Sequence, residues 1–321
     1  MENKILITGG SGFIGTNLII HLNCLGYTNI LNIDIKRPNN KEYLPYWNNC
    51  NLLDAAELHN IVLAFSPNWV FHLAARTDLD GKNLEEYNVN HLGTLNLINS
   101  LKFCTNVKNI VFTSSMLVCR IGYMPQNDLD FYPFNYYGES KVFMEKNIRE
   151  SGLSWPWLIV RPTSIWGPFF EAPYKNFFER VINKKMYNIE GIATRRTYGF
   201  VYNSVEQITS LLFADNLQTN RKVFYIGDTP SVNINEWGNA IAEELGYKKI
   251  PEFNYSVFRF AAIIGDMFAY FGIKFPITSF RLKNLITDYV LPLDNTLDIT
   301  GQPKYKLKEA IQITLKNLKN N

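Results

Sequence analysis

Apolar residues along this chain follow two rhythms. Short, nearly continuous runs, KILIT, NILNID, NWVFHLA, NIVFTSS and PWLIVRP, have the length of strands. Between them lie FIGTNLIIHLNCLG, AELHNIVLAF, residues 84–103 and the segment from YYGESK to Glu150, where apolar positions recur at helical spacing. Continuous apolar strands are buried on both faces, and helices between them return the chain to start the next strand in parallel. The pattern predicts an α/β fold: a doubly wound parallel sheet with helices on both faces. After Gly167 the alternation weakens, and FVY and KVFYIGD read as strands returning to the sheet. The expected division is a sheet domain over residues 1–162, rejoined by 197–228. A smaller, discontinuous α/β lobe would come from 163–196 and 229–321.

The 321 residues are 46 % hydrophobic and 19 % charged, an ordinary balance for a globular protein. A net charge of +3 with scattered cations argues against a nucleic-acid partner. Cys24, Cys50, Cys104 and Cys119 are far apart without metal-ligand spacing. They read as free thiols in a reducing compartment, and no metal is expected. The start, MENKILITGG, reads as a strand whose apolar run is too short for a signal peptide, so a cytoplasmic location is expected. Residues 257–277 are the most apolar late stretch, but Arg259, Asp266 and Lys274 interrupt it. It reads as a core-facing or amphipathic helix, with membrane-surface contact as the alternative, and no transmembrane segment is expected.

Two local patterns carry chemistry. TGGSGFIG follows the first strand and opens the first helix, with Gly9, Gly12 and Gly15 around Phe13 and Ile14. Glycines permit a tight turn, and the helix N-terminus offers free N–H groups to a pyrophosphate. Asp34 ends the second strand nineteen positions past Gly15. A carboxylate there accepts from both ribose hydroxyls of NAD and repels a 2′-phosphate, so NAD is the expected cofactor. Lys36 and Arg37 leave NADP open. YYGESK sets Tyr137 and Lys141 one helical turn apart on one face.

TGGSGFIG, HLAAR (72–76), NVNHLGT (88–94), TSSM (113–116), YYGESK and RPTSIWGP (161–168) occur in one order along the chain. In that order the chain resembles the extended short-chain dehydrogenases/reductases, in the branch of nucleotide-sugar epimerases and dehydratases, with UDP-galactose 4-epimerase as the nearest type. The resemblance implies a Rossmann sheet, a nucleotide-diphosphate-sugar substrate and a homodimer formed by the helices after Leu84 and Tyr137. It implies that Tyr137 is the acid/base, its pKa of about 10 lowered by Lys141 and the nicotinamide charge. Lys141 would also hold the nicotinamide ribose, and Ser115 the reacting oxygen, leaving Ser114 structural. Asn51 and Leu52 would sit beside the adenine, and Leu73, Ala74 and Ala75 would let the cofactor lie close. Asn90 would stand behind the site, structural or orienting the lysine. On the substrate side the resemblance points to Ser164, Asn176, Arg196 (with Arg195 as its alternative) and Arg281. Trp166, Phe169, Phe170 and Tyr174 are expected mainly in the core.

Absences narrow the reaction. The family's 4,6-dehydratases carry Asp-Glu directly after the catalytic Ser/Thr, whereas Met116-Leu117 follows Ser115 here. Epimerase/reductases of the GDP-fucose-synthase type use a Cys and a His. Cys119 is displaced from that position, and all four histidines precede residue 92. His72 reads as a packed strand-end residue. The expected reaction is C4 epimerisation through a transient 4-keto sugar. The alternatives are a one-way 4-dehydrogenase or 4-ketoreductase, a 3β-hydroxysteroid-dehydrogenase-like enzyme, and a non-catalytic NAD-binding protein.

Overall fold

In the computed structural model, residues 3–320 are described, apart from 274 and 276. The chain begins β1 (Ile5–Thr8), α1 (Phe13–Cys24), β2 (Ile30–Ile33), β3 (Trp47–Asn48), α2 (Ala55–Phe65) and β4 (Trp69–His72). It continues with α3 (Asn88–Leu101), β5 (Asn109–Thr113), α4 (Tyr136–Glu150), β6 (Trp157–Pro162) and β7 (Ser164–Trp166). Next come α5 (Tyr174–Ile182), β8 (Asn188–Ile189), β9 (Arg195–Arg196), β10 (Tyr198–Phe200), α6 (Val201–Phe213), α7 (Asn216–Thr219) and β11 (Val223–Ile226). The last elements are β12 (Val232–Asn233), α8 (Ile234–Glu244), β13 (Glu252–Phe253), α9 (Tyr255–Tyr270), α10 (Ser279–Leu285), α11 (Asp294–Thr300) and α12 (Leu307–Asn320).

Seven parallel strands form the main sheet, in the order β11-β6-β5-β4-β1-β2-β3. Alternation along β1 sends Ile5 and Ile7 to one face and Leu6 to the other. Leu18 and Leu22 of α1 and Val205, Ile208 and Leu212 of α6 cover the first face. Leu58 and Val62 of α2, Leu97 and Ile98 of α3, and Met144 and Ile148 of α4 cover the second. Each fully buried aliphatic side chain contributes about 1.5–3 kcal/mol. This two-sided burial is why the strands read as continuous apolar runs. The fold is the doubly wound α/β sheet that the pattern predicts. Chain order reverses at β1, which lies between β2 and β4, and a crevice opens at the carboxyl ends of strands at such a point.

Beyond the sheet, Trp166, Phe178, Phe200 and Trp237 make an aromatic core, each at most 1 % exposed. FVY does not continue as a strand. Phe200 ends β10 and Val201 opens α6. The reason is a cap from elsewhere in the chain: the Asp228 carboxylate accepts from Phe200 N (2.7 Å) and Asn203 Nδ2 (2.9 Å). The apolar stretch from Val257 begins within α9, which buries only a stripe of Phe258, Ala262 and Gly265. Among the described residues no helix is long and apolar enough to cross a membrane.

Candidate active site

At the β1/β4 crevice lies a cavity of about 790 Å³, within the size range of small-molecule sites. The glycine turn forms its floor. Gly9 has φ +76°, and a Cβ there would lie 2.6 Å from Ala74 N. Only glycine allows the turn to close on the end of β4. Asp34 stands just past β2, its carboxylate accepting from Ser11 N (3.0 Å) and Lys36 N (2.8 Å). Burial raises its pKa, and those two backbone donors work against the rise.

The far end holds Ser115, Tyr137 and Lys141, all lining the cavity. Asn135 caps α4 by accepting from Gly138 N (2.8 Å), so the helix starts at Tyr136 and Tyr137 falls in its first turn. A Cβ at Gly138 would collide with the Leu117 carbonyl oxygen. Its absence seats α4 against the turn after β5, and the Ser115 hydroxyl, which accepts from Leu117 N (3.1 Å), lies close enough to the Tyr137 phenol to act on its pKa. Lys141 Nζ donates to Thr113 O at 2.8 Å.

The family described as NAD dependent epimerase/dehydratase matches residues 5–227. That span is more than half of the chain and contains the cavity's glycine turn, Asp34, Ser115, Tyr137 and Lys141. The chain belongs to the NAD-dependent epimerase/dehydratase family. It is an extended short-chain dehydrogenase/reductase enzyme that uses NAD. An N-acetyl-alpha-D-glucosaminyl-diphospho-ditrans,octacis-undecaprenol 4-epimerase of Escherichia coli O157:H7 is 27 % identical over 291 residues, 88 % of this chain and 85 % of its own. A dTDP-D-glucose 4,6-dehydratase of Dictyostelium discoideum is 30 % identical over 236 residues, 62 % of this chain and 52 % of its own. The fold matches that of a UDP-glucose 4-epimerase from Thermotoga maritima, solved with UDP-glucose, at a TM-score of 0.77 and 20 % identity, covering 99 % of each chain.

The cavity fits the family's cofactor. Gly9, Gly12, Phe13, Ile14, Gly15, Asp34, Asn51, Leu52, Leu73, Ala74 and Ala75 all line it. The hydroxyls of Thr113 and Ser114, also lining it, are buried without a hydrogen-bond partner. Buried hydroxyls are rarely left so, and both residues line the cavity. The strand-end rule could have found Thr113, Ser114, Pro162 and Thr163 from sequence; they line the cavity as well.

Other expectations are relocated. Asn90 does not line the cavity. Its amide holds Arg76 N (2.8 Å), Arg76 O (3.0 Å) and Ser140 Oγ (2.9 Å), tying the chain after β4 to the first turn of α4. Ser164 also stands off the cavity wall, near enough to the Tyr174 hydroxyl to act on its pKa, and Tyr174 lines the wall. Phe170 is buried in the aromatic core and lines the cavity too, whereas Phe169 is exposed. Asn176 faces outward on α5 because Phe178 and Val181 are the residues that helix buries. Arg281 is exposed on α10 and donates to Phe275 O (3.2 Å). Of the two adjacent arginines, Arg195 reaches outward to Ser231 O and Glu236. Arg196 turns inward, and its Nη2 is buried without a partner.

The electrostatics depart from one expectation. Burial pushes Tyr137 up to about 12, with the Ser115 hydroxyl opposing it. The same burial brings Lys141 down to about 7, with the Glu145 carboxylate opposing. An ammonium partly discharged by burial and turned to a carbonyl does not lower its neighbour's pKa. The chain's own residues therefore hold the phenol protonated. His72 is a packed residue, brought down to about 3 by burial. Its ring nitrogens bond Thr8 Oγ1 (2.7 Å) and Thr94 Oγ1 (2.8 Å). Thr94 donates to Asn90 O, so His72 Nε2 carries the proton and Nδ1 accepts from Thr8.

Proposed function

We propose that this enzyme epimerises C4 of a sugar carried on a nucleoside diphosphate, through a transient 4-keto sugar. One observation carries the reading: Ser115, Tyr137 and Lys141 line one end of the cavity, and the carboxylate nearest Lys141, Glu145, does not line the cavity and is paired with Arg161. Among the described residues, the acids lining the cavity are Asp34, at the end of β2, and Glu171, which is exposed. Water elimination needs a general acid and base of its own, whereas proton transfer at one hydroxyl needs a single group. The Ser115 hydroxyl would hold the C4 oxygen while Tyr137 takes and returns its proton. NAD, when bound, supplies the hydride acceptor and a positive charge that favours the phenolate. The buried, unpartnered Arg196 Nη2 supports a diphosphate on the substrate side, although Arg196, like the further candidates Ser164, Asn176 and Arg281, lies outside the cavity wall.

The enzyme incubated with UDP-glucose or UDP-N-acetylglucosamine should yield the C4 epimer by NMR with no added NAD consumed. Denaturation should release close to one NAD per chain. Accumulation of NADH with turnover would establish a one-way dehydrogenase instead, and a dehydrated sugar would establish a dehydratase.

A second reading keeps the reaction and changes the carrier. The E. coli relative's substrate name specifies a diphospho-undecaprenol, and the exposed apolar residues of α9 favour a lipid carrier here.

We also propose that two copies pair through α3 and α4. The helices pack side by side and expose Leu92 and Phe143. Sedimentation at micromolar concentration should give a dimer, and a monomer would contradict the proposal.

A further inference from the structure

We propose that the outer face of α9 and α10 docks on an anionic phospholipid membrane surface. The proposal rests on this face and not on the reaction. Helix α9 is held to the protein by its narrow stripe, where a Cβ at Gly265 would overlap the Ile277 carbonyl. Ile277, shortly before α10, thus lies directly against the helix. The opposite side presents Phe260 (68 % exposed), Ile263 (50 %), Met267 (62 %) and Phe271 (71 %) to solvent. Positions 260, 263, 267 and 271 share one helical face, so these side chains form a continuous ridge. Exposed apolar surface of that extent marks an interaction site.

Charge selects the occupant. Residues 255–286 contain Arg259, Lys274, Arg281 and Lys283 against one acid, Asp266. Arg259, Arg281 and Lys283 are exposed. Asp266 is engaged, its carboxylate accepting from Ser279 N at 3.0 Å where α10 begins. Large apolar side chains flanked by cations are the composition of a helix that lies in an anionic bilayer interface. A second copy of the chain is a poorer occupant. A twofold contact sets the same patch against itself and would oppose the cations of both copies.

The face adjoins the catalytic end of the molecule. The Phe280 ring, 58 % exposed, sits 5.8 Å from that of Phe134, three residues before Tyr137. Arg196 donates to Thr287 O just past α10, at 3.2 Å. Docking here would hold the substrate side of the cavity against the bilayer.

The test is flotation of the full chain with phosphatidylcholine vesicles, with and without phosphatidylglycerol. The wild type should float with the anionic vesicles and be released as salt is raised. The triple variant Phe260→Ser, Met267→Ser, Phe271→Ser should bind at least about tenfold more weakly, because the inserted apolar area is gone. NAD content and turnover of soluble UDP-sugar, measured on the same samples, should not change in the variant. Wild type left unbound beside anionic vesicles overturns the proposal, as does a variant that floats equally well. So does a variant converted from dimer to monomer, since the face would then be a contact between copies. Wild type that floats yet turns over no soluble UDP-sugar leaves the docking standing and overturns the nucleoside-diphosphate carrier alone.

Discussion

Tyr137→Phe is expected to lower turnover by about 10²–10⁴-fold, the loss typical of a positioned acid–base group. The released NAD should stay near one per chain. The substitution removes one hydroxyl and keeps the ring that packs 6.2 Å from Tyr87. The phenol lines the cavity beside Ser115, and burial leaves it protonated at neutral pH. Lys141, brought down to about 7 by burial, could carry a proton nearby, but its Nζ is turned to Thr113 O at 2.8 Å. His72 has both ring nitrogens engaged, and the Cys119 thiol is buried, in contact with Asp130 O at 3.3 Å. A variant with near-wild-type turnover would remove Tyr137 from the mechanism. A variant that has lost its NAD would show a structural role instead.

The largest stability effect is expected at Glu145, one turn past Lys141 on α4. Its carboxylate pairs with Arg161 through two contacts, at 2.9 and 2.8 Å, and both side chains are 0 % exposed. Arg161 also donates to Asp128 O (2.8 Å) and the Tyr225 hydroxyl (3.2 Å). Glu145→Ala leaves a buried guanidinium without its countercharge, a loss of about 3–5 kcal/mol. Replacing both partners with apolar residues, Glu145→Leu with Arg161→Met, removes the stranded charge and should cost less than the single change. Denaturant unfolding of the three proteins checks this. Equal losses in the single and double variants would contradict the account.

The parts of the site legible in the sequence are those that a local rule can carry. The glycine turn and the Tyr137–Lys141 spacing each depend on one stretch of backbone, and the cavity assembles around both. Asp34 was legible because it ends a strand of known direction. Groups whose role depends on a distant partner were not. Asp228 caps a helix twenty-eight residues before it, and nothing near Val201 announces that cap, so FVY read as a strand. For Asn90 the sequence left a structural and a lysine-orienting role open, and only the folded chain shows its amide spent between Arg76 and Ser140. Asn176 and Arg281 failed to reach the cavity because the faces that α5 and α10 bury are set by the second lobe's packing. The expected lowering of the Tyr137 pKa counted a nearby charge without the burial of both groups. The outward apolar face of α9 has the composition of a core helix, and only the folded chain shows which side is covered.

The position of β11 bears on how the protein is made. This strand, residues 223–226, pairs along β6, residues 157–162, at the edge of the sheet. When a ribosome has released the first 162 residues, the nucleotide-binding half is present but its last strand is not. Until residue 226 emerges, β6 offers an open row of backbone donors and acceptors, a template for pairing with another chain. Sixty residues, 163–222, must emerge before the sheet can close. Expression at high concentration therefore exposes a nascent edge, and any piece of this chain cut at the apparent domain boundary would carry that edge permanently.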